Sequence, residues 1–387
     1  MKSYDLVISG AGMVGSLAAL MAVKQGYSVL LIEAGELASF DSKKSDLRVS
    51  AISYSNYQLL KSLKVNSNFD KNSLNLFTKM QVWDDRIEAE LNFSQDEFNS
   101  SALGVMIENK HLIYAIHQEL KSFSQIEILS QTKISSFEDR ERYVKLTLNT
   151  DDEIKAKLLL ACDGRDSKIR DFIHIKSESK SYDQKGLVAY VEIPKADNHT
   201  AYQVFIEQGP LALLPFGNQL FSIVWTMSHE KAESYKKLND SEFEKKLESH
   251  INAKLGKVKL QSSRASFPLS QLKVAEYFKG RVVLAGDSAH AIHPLAGQGA
   301  NLGIENVSLL FDLLKVDDLK NRKQLHIKLR KYQRRRLSKV NETSELMSFI
   351  NYMFKDDEHL KQPLRSLGFK LINHSPLKKW LLTKAGS

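Results

Sequence analysis

The chain has 387 residues, 42% of them hydrophobic, and a formal net charge of +9. This length and composition allow two domains with ordinary hydrophobic cores. No apolar run reaches the roughly 18 residues that a membrane-spanning helix needs, and no signal peptide is recognised before the first predicted strand. The single cysteine, Cys162, excludes an internal disulfide framework. These features predict a globular protein of the reducing cytoplasm.

The chain begins with a predicted strand, a glycine-rich turn and a helix. Residues 4–9 form an apolar, β-rich run, a helical pattern ends near Gly26, and residues 27–32 form a second strand that ends in Glu33. Glu33 follows the last glycine of the turn by 18 residues. In this arrangement the glycines permit a tight turn, close approach to a pyrophosphate and close helix packing, while the acid binds an adenosine ribose. The pattern predicts a dinucleotide site formed by Gly10, Gly12, Met13, Val14, Gly15 and Glu33.

Two further segments carry candidate cofactor residues. Arg48 lies in a short polar loop before a predicted helix, where it is either a phosphate or cofactor contact or a solvated surface arginine. A buried strand over residues 158–161 ends in Cys162, Asp163 and Gly164, and an Asp-Gly pair at a strand end predicts a turn. Asp163 is the second candidate cofactor residue. We interpret Cys162 as a buried strand-end residue rather than a reactive thiol.

Strands dominate the regions between these segments. Alternating side chains over residues 82–93 and 126–150 predict antiparallel strands, and an amphipathic helix begins at Glu108 and Asn109. Between residues 187 and 227, strand patterns with Gly-Pro and Gly-Asn turns predict an antiparallel sheet, and a charged helical stretch follows. The apolar side chains of this sheet either line a hydrophobic substrate channel or pack a core. The candidates for the channel are Leu213, Leu214, Phe216 and Trp225.

The stretch from Arg281 to Asn306 organises the second half of the chain. Residues 282–285 have the apolar pattern of a buried parallel strand, and Asp287 places a carboxylate at its carboxyl end, where open α/β sheets bind their ligands. A helix with small residues at its start follows, so its backbone N–H groups can face an electron-rich ligand. The residues predicted to contact a cofactor here are Gly286, Asp287, Gly297, Gln298, Gly299, Ala300 and Asn301.

Two histidines, His290 and His293, lie in the same loop, which Pro294 closes. No third ligand has convincing spacing, so we predict no metal site. The histidines either exchange a proton with a substrate or hold the loop through hydrogen bonds, and the sequence leaves both interpretations open. The candidate catalytic residues are therefore His290, His293 and Pro294.

These segments together predict an α/β fold with a Rossmann-like dinucleotide domain, an inserted antiparallel-sheet substrate domain and a C-terminal helical tail. The dinucleotide domain comprises residues 1–75, 113–180 and 269–318, the substrate domain residues 76–112 and 181–268, and the tail residues 319–387. From residue 312 to 387 the chain holds 18 lysines and arginines against 8 acidic residues. No nucleic-acid recognition motif accompanies this charge, so we predict no nucleic-acid partner. The amphipathic tail favours an anionic membrane surface, with internal packing or a homo-oligomer contact as the alternatives.

The order and spacing of the three cofactor segments resemble those of the group A flavoprotein monooxygenases with the hydroxybenzoate-hydroxylase fold. Within that superfamily, residues 290–303 (HAIHPLAGQGANLG) resemble the signature of the ubiquinone-biosynthesis hydroxylases. The likeness extends over essentially the whole chain, including residues 47–51, Glu108 with Asn109, and residues 209–215. One position departs from the pattern, because Asn306 stands where the family usually has an aspartate.

The resemblance implies an FAD cofactor, with its ADP part on Gly10–Gly15 and Glu33, Arg48 beside it, and Asp287 at the ribityl or pyrophosphate region. The backbone from Gly297 to Asn301 is then expected to face the N1/O2 edge of the flavin. The implied activity is hydroxylation of a polyprenyl phenol, methoxyphenol or benzoquinol in ubiquinone biosynthesis by O2, through a flavin C4a-hydroperoxide. The resemblance also implies other ubiquinone-biosynthesis proteins as partners. Because a polyprenylated substrate would reside in a membrane, the amphipathic tail further suggests peripheral association with the inner face of that membrane.

Two alternatives keep the fold but change the function. The first is a flavin monooxygenase of a soluble phenol, and the apolar tail and the signature argue against it. The second is a flavin-bearing structural member of a ubiquinone-biosynthesis complex, and the intact glycine segments argue against that. Because the sequence has only one complete GxGxxG pattern, it offers no separate Rossmann site for NAD(P)H. The expected electron source is therefore transient NAD(P)H docking or a reductase partner.

Overall fold

The computed structural model describes residues 1–40, 46–70, 74–87, 89–292, 298–354, 365–366 and 378. Its strands are β1 (Lys2–Ser9), β2 (Val29–Ile32), β3 (Val49–Ser53), β4 (Leu74–Phe77), β5 (Lys79–Asp84), β6 (Ala89–Ser94), β7 (Gly104–Glu108), β8 (Ile126–Leu129), β9 (Ile134–Asp139), β10 (Val144–Leu148), β11 (Glu153–Ala161), β12 (Ser177–Glu192), β13 (Thr200–Ile206), β14 (Gly209–Pro215), β15 (Leu220–Ser228), β16 (Lys259–Leu260), β17 (Ala265–Val274), β18 (Phe278–Lys279), β19 (Val282–Leu284) and β20 (His290–Ala291). Its helices are α1 (Met13–Lys24), α2 (Tyr54–Ser62), α3 (Asn109–Leu120), α4 (Lys168–Phe172), α5 (His229–Lys237), α6 (Asp240–Leu255), α7 (Gln298–Leu313) and α8 (Arg322–Phe354).

An eight-stranded sheet carries the first predicted unit. Its main path runs β18-β19-β11-β1-β2-β8, and β10 and β9 extend it from β11. Strands β19, β11, β1, β2 and β8 run parallel to one another. The central strand is apolar and fully buried at Leu6, Val7 and Ile8, as expected for a strand covered on both faces. The predicted buried parallel strands are therefore confirmed.

Helix α1 covers one face of this sheet and starts directly beyond the end of β1. It is buried from Gly15 to Val23 and contacts α3 and α7. Small side chains at Ala18, Ala19 and Ala22 suit a helix that is enclosed on all sides. The helix ends at Lys24, and Gly26 follows the C-cap residue with a φ of 84°, in the left-handed region that favours glycine. This end agrees with the predicted one.

A nine-stranded sheet forms a second layer. Its main path is β20-β17-β12-β15-β14-β13-β5-β6, with β16 beside β12. All its pairs are antiparallel except β13–β5. The antiparallel sheet predicted between residues 187 and 227 is confirmed, and strands from outside that range widen it. The widening strands are β5, β6, β16, β17 and β20.

The two faces of the nine-stranded sheet have different partners. Leu213 and Trp225 are fully buried on the face that packs against α5 and α6, where Trp225 contacts Tyr235 edge to face. Of the two interpretations of these residues, core packing is thus the one that the structure supports. Leu214 and Phe216 lie on the opposite face, against side chains of β3 and β7. The strand period of two explains the division, since successive side chains point to opposite faces.

A small sheet of order β3-β7-β4 contacts this opposite face. Strand β3 is antiparallel to β7, with Val49 opposite Glu108 and Ser53 opposite Gly104. Arg48 lies in a loop upstream of a helix, as predicted, but the unpredicted strand β3 stands between this loop and α2, which begins only at Tyr54. The strand was missed because its partner β7 lies far along the chain, and a short run without a neighbouring partner gives no period.

The C-terminal part is helical over the residues that the structure describes, as predicted. Helix α8 packs on α7 through the buried side chain of Arg336, which bonds Glu305 at 3.1 Å and the carbonyl oxygen of Leu302 at 3.3 Å. Further along, Arg365 is fully buried and forms an ion pair with Asp84 of β5 at 3.3 Å. Among the helices in the described ranges, every one is too short or too polar to span a bilayer.

Candidate functional site

The predicted cofactor residues meet at one edge of the eight-stranded sheet. The register aligns Ser9 with Ile32 and with Ala161, and Ala161 with Leu284, so β1, β2, β11 and β19 end at the same level. The glycine turn follows β1, and the predicted acids follow the other three strands. Because ligands of open parallel sheets bind beyond the carboxyl ends of the strands, this edge is the candidate site. It brings together Gly10, Gly12, Gly15, Glu33, Asp163, Gly286 and Asp287.

The glycine turn is as tight as the motif requires. Gly10 has φ +99°, and a Cβ atom there would lie 2.3 Å from the carbonyl oxygen of Cys162. A Cβ atom on Gly15 would lie 1.9 Å from the carbonyl oxygen of Gly10. Gly12 differs, because a Cβ atom on it would meet no atom within 4 Å, and no side chain caps the helix that it precedes. Two glycines therefore close the turn, and the third leaves the N-terminus of α1 open to a ligand.

The carboxylate of Glu33 faces this turn. One of its oxygens accepts a hydrogen bond from the Ala11 N–H at 2.7 Å, and the other accepts from the Gly35 N–H at 3.0 Å. The carboxylate is thus oriented by backbone donors on both sides. Since each carboxylate oxygen has two acceptor positions, these bonds leave acceptor capacity for a hydroxyl donor.

Asp163 and Asp287 supply the other two carboxyls. Burial raises the pKa of Asp163; one of its oxygens accepts from the Ile169 N–H at 3.2 Å, and the other is buried without a partner among the described residues. Asp287 is open to solvent although protein surrounds it on most sides, which is the geometry of a cleft floor. Desolvation raises its pKa, and the positive charge of Arg165 opposes that shift. The second oxygen of Asp163 and the exposed carboxyl of Asp287 can therefore accept hydrogen bonds from a ligand at the strand ends.

Asn301 ties the start of α7 to the small sheet. Its Oδ1 accepts hydrogen bonds from the Ser53 N–H and from Asn56 Nδ2, each at 2.9 Å, and its Nδ2 donates to the carbonyl oxygen of Ala51 at 2.8 Å. The side chain is fully engaged, so only the backbone of Asn301 can face a cofactor. These bonds bring β3, which directly follows the exposed Arg48, to the helix start.

Several predicted site residues have partial or no description. His293, Pro294 and Gly297 lie outside the described residues, as does the side chain of Gln298. Gly299 and Ala300 stand in the first turn of α7, and a Cβ atom on Gly299 would meet nothing within 4 Å. Met13 and Val14 are the first residues of α1. Val14 packs against Gly286, and a Cβ atom at Gly286 would lie only 3.1 Å from a methyl carbon of Val14.

His290 is placed behind the loop rather than in the cleft. It is 2% exposed, and its Nδ1 lies 3.1 Å from the hydroxyl of Tyr277. Burial, assisted by the positive charge of Arg336, lowers the pKa of His290 to about 3, so the ring is neutral at neutral pH. A buried, neutral ring bonded to a tyrosine suits the interpretation that His290 holds the loop.

Sequence reasoning missed the arginines that join the strand ends. Arg165 donates to the carbonyl oxygens of Ser270 at 3.2 Å and Gln271 at 3.3 Å, which attaches the Asp163 turn to β17. Arg170 is 6% exposed and donates to the carbonyl oxygen of Ser288 at 3.2 Å. Both arginines follow the Asp163-Gly164 turn within a few residues. This closeness to the turn was the only feature of the sequence that could have indicated their part in the site.

Asn306 has a structural partner at the site. Its Oδ1 accepts a hydrogen bond from the Gly286 N–H at 2.9 Å, and its Nδ2 is buried without a partner among the described residues. The oxygen that an aspartate would offer to Gly286 is therefore retained by the asparagine. The departure from the family pattern costs the site a negative charge but not this bond.

The open positions at this edge fit a dinucleotide flavin. Gly12, Gly164 and Gly299 each adjoin space that a Cβ atom would enter without meeting another atom within 4 Å. They stand beyond β1, beyond β11 and at the start of α7, and Asp163 and Asp287 offer acceptors between them. An elongated ligand with a phosphate at α1 and hydroxyls at the acids matches this path. Fold and site together define a dinucleotide-binding protein.

Comparison with known proteins supports this class and narrows it. Residues 3–343 match the family described as FAD binding domain. The ubiquinone biosynthesis monooxygenase COQ6 of Mus musculus, a mitochondrial protein, is 33% identical over 359 residues, which cover 79% of this chain and 74% of that protein. The 3-demethoxyubiquinol 3-hydroxylase of Escherichia coli strain K12 is 30% identical over 311 residues, covering 80% of this chain and 79% of that enzyme. The chain therefore belongs to the FAD-dependent monooxygenases, in the family of the ubiquinone-biosynthesis hydroxylases.

Solved structures agree on the fold. The p-nitrophenol 4-monooxygenase PnpA of Pseudomonas putida superposes with a TM-score of 0.78 at 18% identity, covering 100% of this chain and 99% of that one. PqsL of Pseudomonas aeruginosa, described as a probable FAD-dependent monooxygenase, gives a TM-score of 0.77 at 19% identity, with coverage of 95% and 100%. The predicted FAD-binding fold with an inserted sheet is thus confirmed, and FAD is the cofactor of this chain.

Proposed function

We propose that this chain hydroxylates the aromatic ring of a polyprenylated phenol, methoxyphenol or benzoquinol during ubiquinone biosynthesis. The observation that carries the proposal is the position of the apolar wall formed by Leu214 and Phe216, which lies against β3, the strand bonded to Asn301 at the start of α7. Leu214 and Phe216 are only partly buried, so this wall is where we propose that the hydrophobic ring of the substrate packs, on the side of the cofactor edge. The names of the relatives support the ubiquinone pathway as its source. FAD, when bound, supplies the electrons that activate dioxygen.

The residues of the cofactor edge are proposed to hold FAD as follows. The pyrophosphate lies over the N-terminus of α1 beside Gly12, and Glu33 binds the adenosine ribose. Asp163 and Asp287 bind the hydroxyls and phosphate-linked part between the two halves. The backbone of residues 297–301 faces the flavin ring, and Arg48 contacts the cofactor from β3. The domain boundaries predicted from the sequence, at residues 75, 112, 180, 268 and 318, stay a prediction, and the first four of them fall inside β4, α3, β12 and β17.

The loop residues are proposed to position rather than to react. Because His290 is buried and bonded to Tyr277, its part is to fix the loop that carries Asp287. His293 and Pro294 complete that loop, and a direct proton transfer by His293 remains the alternative within this proposal. The chain's own contribution is then to orient the ring, to exclude water and to hold the flavin in place.

The test combines a cofactor measurement with a choice of substrates. The purified full-length protein should show the absorbance of a bound flavin and release FAD on heat denaturation. With NAD(P)H and dioxygen it should hydroxylate a detergent-dispersed prenylphenol faster than a soluble phenol of the same ring pattern. A preference for the soluble phenol would move the chain to a different substrate class, and a flavin-loaded protein inactive on both would support the structural alternative.

The electron donor and the partners form a further part of the proposal. NAD(P)H is proposed to dock transiently, since a second dinucleotide motif is absent from the sequence. Stopped-flow anaerobic reduction of the bound flavin by NADH and NADPH tests this directly. If neither reduces the flavin with substrate present, a reductase among the other ubiquinone-biosynthesis proteins must supply the electrons.

The place of action is proposed to be the cytoplasm, at the inner face of the membrane. On α8 the side chains of Arg330, Lys331, Arg334 and Arg335 are exposed, whereas Arg336 of the same run is buried. Exposed cations on one helix attract an anionic lipid surface. The later tail residues that the sequence also suggests, from 367 to 384, lie almost wholly outside the described residues.

Co-sedimentation with vesicles that contain anionic lipid tests this placement. Replacing Arg334 and Arg335 by glutamate should release the protein, while the same change at the exposed Lys245 and Lys246 of α6 should not. Truncation is the poorer test because it removes Arg365, the buried partner of Asp84. Equal binding by both variants would reject α8 as the membrane contact, and a homo-oligomer would then be sought by light scattering.

A further inference from the structure

Helix α8 presents one long face to solvent. Its opposite face holds the buried side chains that pack on the body of the protein, among them Leu325, Tyr332 and Val340. The exposed face carries two large apolar side chains, since Ile327 is 64% exposed and Phe349 is 61% exposed. They are 22 residues apart, which is about 33 Å along a straight helix. Single exposed apolar residues are common, so the argument depends on how these two are placed relative to the charges.

The charges of this face are segregated along the helix. The first half carries exposed cations at positions 330, 331, 334 and 335, and the second half carries exposed acids at positions 342 and 345. The residues three and four positions from Lys331 include no acid, and those three and four positions from Glu345 include no base. Within one helix, opposite charges at these spacings stabilise and like charges destabilise. The charge pattern therefore does not stabilise α8 by itself, and it fits a surface that carries the reverse order of charges.

The two halves of the face mirror each other about Ser338. Lys331 and Glu345 each lie seven residues from Ser338, and Ile327 and Phe349 each lie eleven residues from it. Seven and eleven residues are about two and three helical turns, so all five side chains point in nearly the same direction. All five are exposed, and the small side chain of Ser338 permits close approach of another helix at the centre. The face is thus complementary in charge and polarity to its own reversed copy.

We propose that α8 pairs with α8 of a second copy of this chain, antiparallel, around a two-fold axis at Ser338. A two-fold contact is isologous, so each residue pair occurs twice in it. In this arrangement Lys331 of each copy faces Glu345 of the other, and Ile327 of each copy faces Phe349 of the other. A single helix pair buries less surface than a standard protein interface, and its ion pairs lie near solvent. The dimer is therefore weak and sensitive to salt.

The pairing uses cations that the proposed membrane contact also uses. An anionic lipid surface attracts the first half of α8 but repels Glu345 in the second half. A second copy of the helix matches both halves, and it also supplies an apolar residue opposite Ile327 and opposite Phe349. The dimer is therefore the form of the chain in solution, and anionic lipid competes with it for the cations. This inference does not depend on the substrate or on the reaction.

Sedimentation velocity of the FAD-loaded full-length chain, without lipid and from about 1 to about 100 µM, tests the pairing. The wild type should form a dimer that dissociates as the salt rises from about 0.05 to about 0.5 M. Lys331→Glu and Glu345→Lys should each weaken the dimer by about tenfold or more, because each creates two like-charge contacts. An equimolar mixture of these two variants should form a heterodimer, since every altered residue then faces the opposite charge. Phe349→Ser should also weaken the dimer, whereas Lys245→Glu, at an exposed position on α6, should dimerise as the wild type does.

Three outcomes would overturn the inference. The first is a wild type that stays monomeric at the highest concentration, and binding of that monomer to anionic vesicles would assign the face to the membrane. The second is a dimer of unchanged stability in both single charge variants. The third is a mixture that stays monomeric although each variant is folded and retains FAD. A chain that hydroxylates the prenylphenol but fails these tests overturns the inference alone, and a chain that dimerises as expected but hydroxylates no phenol overturns the proposed function alone.

Discussion

The neutral state of buried His290 makes a quantitative prediction about acid stability. The folded-state pKa of about 3 lies below the ordinary value of 6.5, so the unfolded chain binds the proton more tightly. The associated stability is present above pH 6.5 and is lost as the pH falls from 6.5 towards 3. At about pH 5 the free energy of unfolding should have dropped by about 2 kcal/mol from this group alone. The drop of about 2 kcal/mol is nearly the same for any folded-state pKa of His290 below about 4. At about pH 5 a folded chain with such a pKa binds almost no proton at His290, so the drop depends on proton binding by the unfolded chain.

The variant His290→Gln tests this figure, since it retains a polar group for Tyr277 but does not titrate. Urea unfolding, followed by tryptophan fluorescence at about pH 7.5 and about pH 5, gives the two free energies. The wild-type free energy should fall by about 2 kcal/mol more than that of the variant. His229→Gln, at an exposed position on α5, should behave as the wild type does. If the free energy of unfolding falls equally between the two pH values in the wild type and in His290→Gln, His290 is not a buried histidine that is kept neutral by the fold.

Five other substitutions, at four positions, probe the cofactor edge and the residues that support it. Gly12→Ala should leave the melting temperature unchanged but weaken FAD binding by about tenfold or more in a titration, since its Cβ enters the space at α1; Gly15→Ala should lower the melting temperature as well, because its Cβ meets the Gly10 carbonyl oxygen at 1.9 Å. Asn301→Ala leaves buried groups of β3 and α2 unpaired and should cost about 2 to 4 kcal/mol in urea unfolding. Asn306→Leu leaves the Gly286 N–H without an acceptor and should lower the free energy of unfolding by about 1 to 3 kcal/mol. Asn306→Asp retains the acceptor and should still bind FAD. Equal losses of unfolding free energy in the two variants would show that the hydrogen bond to Gly286 is not the cause.

The parts of the fold that were predictable are those with local signals. Short stretches of sequence, of about 20 residues or fewer, were enough to predict the glycine turn, the acid at Glu33 and the buried strand before Asp287. Their convergence then follows from the rule that parallel strands present their carboxyl ends at one edge. The structure adds the strand register, which the sequence does not give: Ser9 of β1 pairs with Ala161 of β11, and Ala161 pairs with Leu284 of β19, so the three strands end at the same level.

The parts that were not predictable depend on distant partners. Asn301 was assigned to the cofactor through its backbone, and nothing local in the sequence indicated that its side chain bonds β3 and α2, which precede it by 245 to 250 residues. Period alone could not decide which of Leu213 and Leu214 faces the cofactor layer, because either register of a strand satisfies the alternation.

The most direct test of the account is the fate of dioxygen in a single reaction. The FAD-loaded chain is mixed with a detergent-dispersed prenylphenol, NAD(P)H and isotope-labelled dioxygen, and the product is analysed by mass spectrometry. The account predicts a ring-hydroxylated prenylphenol that carries one labelled oxygen atom. An unhydroxylated prenylphenol, or a hydroxylated product whose new oxygen comes from water, would contradict it.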